Sequence, residues 1–111
     1  EKLCGYGHWL HGEAVAIGMV MAARLSQEVS GLMPDSVDRL IELLAKLGLP
    51  TELDQHSREV ITVASMIDAM GLDKKVVDGR LRFIVVSELG QVALRDDIDS
   101  AIVRDVLSQW F

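Results

Sequence analysis

Cysteine is nearly missing from this chain. Cys4 stands alone among 111 residues, so no internal disulfide can form and no Cys-pair metal spacing is available. It reads as a reduced, incidental thiol near an unstructured start. Long apolar runs are lacking too: Arg24 and Glu28 break the only candidate, which excludes a membrane span, and no basic segment with a cleavage pattern opens the chain. The expected setting is soluble and cytoplasmic, with no membrane partner. Positive charge is scarce, with 11 Lys and Arg against 17 Asp and Glu and a formal charge of −6, which opposes binding to polyanions and argues against nucleic acid as a partner. A local cluster such as Lys74, Lys75, Arg80 and Arg82 can still hold a phosphate. No HExxH motif and no internal repeat occur. No start methionine precedes residues 1–10, and their glycines and aromatics follow no period, so the chain is expected to be a piece of a larger protein, ending naturally near Phe111.

What is present is helical period. With 50% hydrophobic residues the chain suffices for the core of one domain. Residues 13–30 place Val15, Met19, Ala22 and Leu25 beside Ala16, Val20 and Ala23 at three- and four-residue intervals, predicting a central buried helix that Gly31 stops. Pro34, Asp35 and Ser36 open a second helix with Val37, Leu40, Ile41, Leu44 and Leu47 on one face, ended by Gly48 and Pro50. A polar connector, residues 51–59, leads to a third helix with Val63, Met66, Ile67 and Met70, closed by Gly71. Met19, Met21, Met66 and Met70 are read as core filler. After the turn chemistry of Asp78-Gly79, Leu81, Phe83 and Val85 alternate with Arg80, Arg82 and Ile84, and Leu89-Gly90 separates them from residues 91–94, which predicts a β-hairpin. Asp97 or Asp99 caps a last helix with Ile102, Val103, Val106, Leu107 and Trp110 on its apolar face. The predicted fold is mainly α, a single helical domain over 1–111 carrying one hairpin.

The polar group that stands out is His11-Gly12-Glu13, set before a long apolar helix whose first N–H groups are unpaired. His11 and Glu13 are two residues apart and point to different sides of a helix, so at most one grips a metal ion directly. Imidazole is the commoner ligand, and a carboxylate in a first turn is favoured by the helix dipole. His11 is therefore assigned the metal, and Glu13 a supporting place behind it. A catalytic zinc needs about three protein ligands, and His8, His11 and His56 have no spacing that joins them. His8 is expected in a loop because of Gly5 and Gly7, and His56 in a solvated connector. Asp73-Lys74-Lys75 is either a solvated helix end or a hook for a carboxylate or phosphate.

Gly-Tyr-Gly-x-Trp-Leu-His-Gly-Glu-Ala-Val-Ala-Ile-Gly-Met-Val at 5–20, Gly-Leu-Pro at 48–50 and Asp-Lys-Lys-Val at 73–76 together resemble the C-terminal domain of the 3-dehydroquinate synthase family. The resemblance implies the C-terminal half of a dehydroquinate synthase-like fold. It also implies an enzyme that uses NAD and a divalent metal, zinc or cobalt, to convert the seven-carbon phosphate DAHP into 3-dehydroquinate and phosphate in the shikimate pathway of aromatic amino acid biosynthesis. It makes His11 one of three metal ligands and gives Lys74 or Lys75 a substrate contact. It implies that the NAD-binding domain, a Glu and a His ligand, and a Gly-His-Ala-Ile-Glu segment precede this chain, with Glu1 as that segment's last residue. Both cofactors then require that missing part. The chain alone is expected to be inactive, to hold zinc weakly and to self-associate, the whole protein being a homodimer. Related sugar-phosphate cyclases such as 2-deoxy-scyllo-inosose synthase share part of the pattern. A non-catalytic helical interaction module is the alternative from a different class.

Overall fold

A computed structural model describes residues 1–71 and 81–111. A short 3-10 turn, Lys2–Cys4, precedes α1 (His11–Val29), α2 (Pro34–Lys46), α3 (Gln55–Val60) and α4 (Val63–Gly71). The hairpin strands β1 (Phe83–Glu88) and β2 (Gln91–Arg95) follow, then α5 (Ser100–Ser108). The mainly helical architecture with one antiparallel hairpin is the one the sequence predicts. The Asp78-Gly79 turn lies outside the described residues.

α1 is the hub, touching α2, β1 and α5. Ala16, Ile17, Val20, Ala23, Leu25 and Ser26 are its buried residues, whereas Val15 and Met19 are about half exposed. The buried arc thus keeps Ala16, Val20, Ala23 and Leu25 as expected but is narrower at Val15 and Met19, and Met19 is not core filler. A helix wetted on one side can carry apolar residues there at no cost to packing. Three small apolar clusters share α1. Leu25 meets Val103, Val106 and Leu107 of α5, with Met21, Met66 and Met70 filling in. Ala16 and Val20 meet Leu44 of α2 and Trp110. Ala23 meets Leu32 and Val37.

α2 stops where a left-handed residue is needed. Gly48 has φ +76°, and Leu49 N–H donates to the Leu44 carbonyl at 3.0 Å, closing the helix end. That break leaves Leu47 exposed rather than on the buried face. α3 interrupts what reads as a polar connector. Asp54 sits at its N-cap and accepts the Ser57 N–H at 2.8 Å, which nucleates a single short helix despite the absence of an apolar period.

The hairpin pairs Phe83 with Arg95 through Val86 with Val92, then slips by one residue before Glu88 and Gln91. Val85 is fully buried against the helices, while Ile84, Val92 and Leu94 face outward. Two polar ties fix the hairpin to α1. The Ser26 hydroxyl, fully buried, donates to the Ala22 carbonyl at 2.7 Å and accepts the Val86 N–H at 2.9 Å. Arg95 donates to the Val29 carbonyl at 2.7 Å while its other nitrogens hold Asp97. Asp99, not Asp97, caps α5, accepting the Ala101 N–H at 2.9 Å. Among the described residues no helix is long and apolar enough to cross a membrane.

Candidate functional site

The site region is the start of α1 together with the ten residues before it and α3. Gly5 and Gly7, at φ +81° and +98°, let the chain turn tightly before Trp9, conformations that side chains with a Cβ rarely adopt. His8 lies in that turn, as expected. α1 begins at His11, two residues before the apolar period starts, because Glu13 reaches back to accept the Leu10 N–H at 3.0 Å. Glu13 thereby completes the helix start. One of its carboxylate oxygens is held by the Leu10 backbone amide, and no Lys or Arg among the described residues pairs with it.

His11 is the exposed member of the group. Its imidazole is 82% accessible, and its Nδ1 lies 3.2 Å from Oε2 of Glu1. A carboxylate can only accept, so Nδ1 donates, and in the neutral imidazole this leaves the Nε2 lone pair open. Nε2 has no partner among the described residues. Neutral imidazole with one nitrogen held by a carboxylate and the other free is the form that ligates a metal, so the chemistry of His11 fits a divalent ion. One imidazole is not a complete site. No group of three metal-ligating side chains exists among the described residues.

A second polar cluster, found only by the fold, anchors the approach to His11. The Trp9 indole N–H donates to the Ser57 hydroxyl at 2.9 Å, and the Cys4 thiol donates to the same oxygen at 3.2 Å. Ser57 is fully buried. Cys4 is free, as expected, but sits in a 3-10 turn with a defined partner rather than in an unstructured start. His8 Nε2 meets Asp54 Oδ2 at 2.8 Å, and the His8 ring stands 4.8 Å from that of His56. His56 is exposed but lies on α3, not in a loop. The hydrogen bonds from Ser57, and secondarily the His8 contact, hold the Asp54 carboxyl down to about 2. These partners are 46 to 53 residues apart in sequence, so no local pattern announces them.

Behind the first turns of α1 runs a mostly apolar cleft of about 180 Å3, lined by Glu1, Cys4, Trp9, Ile17, Leu53 and Met66 among others. Glu1 thus stands between an apolar wall and the His11 ring. Lys74 and Lys75 lie outside the described residues.

Comparison with known proteins bears on this geometry. Residues 1–76 match the family model described as 3-dehydroquinate synthase C-terminal. Curated relatives named 3-dehydroquinate synthase include one from Nitrosococcus oceani, 45% identical over 98% of this chain, and one from Psychrobacter arcticus, 45% identical over 95%. The chain spans 29% and 26% of their respective lengths. Among solved structures, a 2-epi-5-epi-valiolone synthase from Streptomyces hygroscopicus subsp. jinggangensis, with NAD+ and Zn2+ bound, superposes with a TM-score of 0.78 at 23% identity, over 98% of this chain and 29% of its own. At that identity the likeness speaks for the fold.

Proposed function

Because the chain belongs to the 3-dehydroquinate synthase C-terminal family, we propose that it serves as the C-terminal part of a metal- and NAD-dependent 3-dehydroquinate synthase, acting on DAHP to release phosphate and form 3-dehydroquinate. The observation that carries this reading is an exposed imidazole with a free Nε2 at the start of α1, inside the stretch that matches the family. The 45% identical relatives favour this substrate over those of other sugar-phosphate cyclases.

When bound, the metal supplies Lewis-acid polarisation of a substrate oxygen and NAD supplies a temporary hydride acceptor. The chain's own contribution is positional. His11 offers Nε2 as one metal ligand, the others coming from the longer protein. The apolar face of α1 holds the helix axis, and the Glu13 bond to Leu10 N–H fixes where that helix begins, so the imidazole emerges at a set height. Lys74 or Lys75 provides an ammonium for the substrate's anionic groups. This division of labour makes the isolated chain inactive, since ligand geometry and cofactor orientation both need the remainder. The full protein acts as a cytoplasmic homodimer.

Turnover of DAHP with NAD and zinc, measured on the full-length protein and on its His11→Ala variant, tests the reading. Loss of activity with loss of bound zinc, at an unchanged melting temperature, is expected. A metal-replete, active His11→Ala protein would refute it.

A further inference from the structure

The geometry points to Glu1 as the positioning residue for His11: its carboxylate holds Nδ1–H and thereby presents Nε2 to the metal. This rests on the reading of His11 as a ligand and adds a residue to it.

Two facts carry the inference. The first is the contact itself, Oε2 to Nδ1 at 3.2 Å, between residues ten apart. An imidazole in water exchanges freely between two tautomers and several ring orientations. A carboxylate acceptor at one nitrogen selects the tautomer that leaves the lone pair on the other, restrains the ring, and raises the basicity of the free nitrogen. The second fact is the surroundings of Glu1. Its side chain is 34% accessible against 82% for His11, and it lines the apolar cleft with Cys4, Trp9 and Ile17. A carboxylate backed by apolar side chains has fewer water partners to exchange for its one protein partner than a freely solvated one.

The turn that brings Glu1 back onto α1 is itself fastened. Trp9 and Cys4 converge on Ser57, and His8 on Asp54, so the strand of chain between Glu1 and His11 is pinned at three side chains to α3 and its cap. Glu1 acts through His11 and touches neither substrate nor cofactor in this role.

The test uses the full-length protein, with Zn2+ as the probe. Long-range 1H–15N spectra of the His11 ring are expected to show the Nδ1–H tautomer, with zinc on Nε2 after loading. Chelator competition is expected to show zinc bound about 10- to 100-fold more weakly by Glu1→Ala. Glu1→Gln, whose amide oxygen still accepts from Nδ1–H, is expected to keep the tautomer and fall between the two. Near-UV circular dichroism shows whether each variant folds, and the tautomer of the unsubstituted protein needs no variant. Zinc on Nδ1, or Glu1→Ala binding zinc as tightly as the unsubstituted protein while His11→Ala loses it, would overturn this inference alone. Zinc undiminished in His11→Ala would overturn it together with the reading beneath it.

Discussion

The two ends of α1 are secured by opposite means. From Ala16 onward the helix is held by apolar contact with α2, β1 and α5, an attraction that depends on area and tolerates small rotations. At its start there is little such area: His11 and Gly12 are exposed, and the ten residues before them are held by Trp9, Cys4 and His8 reaching side-chain acceptors on Ser57 and Asp54. Hydrogen bonds contribute less each than a buried leucine but dictate direction. The segment leading to His11 is thus built from directional contacts, and the body of the helix from area.

Breaking the apolar end should have the largest effect. Leu44→Ala empties a site facing Ala16 and Val20, where Leu44 is 4% exposed, and is expected to lower stability by about 2–5 kcal/mol in urea unfolding. A loss below 1 kcal/mol would mean that α2 is not fastened to α1 by this cluster. At the polar end, Ser57→Ala strands the buried partner of the Trp9 indole and should cost about 1–3 kcal/mol, with a change in Trp9 emission, read in a Trp110→Phe background. Unchanged Trp9 emission would deny that Ser57 anchors this segment. The smallest effect concerns pH. Asp54 titrates at about 2 in the folded chain against an ordinary 3.8, so the folded state binds that proton less readily than the unfolded one. Its stabilising contribution is complete above about 3.8 and is lost as pH falls toward about 2. The urea midpoint of Asp54→Asn should accordingly fall less between pH 5 and pH 2.5 than that of the unsubstituted protein, and equal slopes would contradict the assignment.

The same contrast explains which parts of the molecule were legible in sequence. α1, α2, α4, the hairpin and α5 each announce themselves by period and by a local stop or cap, because apolar area is contributed residue by residue along an element. The polar end leaves no such trace. Ser57 looks like any connector serine until Trp9 and Cys4 arrive from about 50 residues away, and α3 rests on a single cap at Asp54 instead of an apolar face. Glu13 has a local job that its spacing also encodes: three residues after Leu10 is the place from which a carboxylate reaches the N-cap amide. The exposed place of His11 at the start of α1 was legible from its position before the apolar run. Its Glu1 partner was not, since a turn has to fold before the two meet.

The hydroxyl of Ser26 also joins a local element to a distant one. β1 and β2 pair across a two-residue turn and α1 forms from near-neighbour contacts, so both can assemble early and separately. The bond from Val86 N–H to Ser26 spans 60 residues, and it cannot close until the intervening chain has given up its loop entropy. One hydroxyl thus serves two elements at once, its proton engaged by the Ala22 carbonyl of its own helix and its lone pair by an amide of the hairpin.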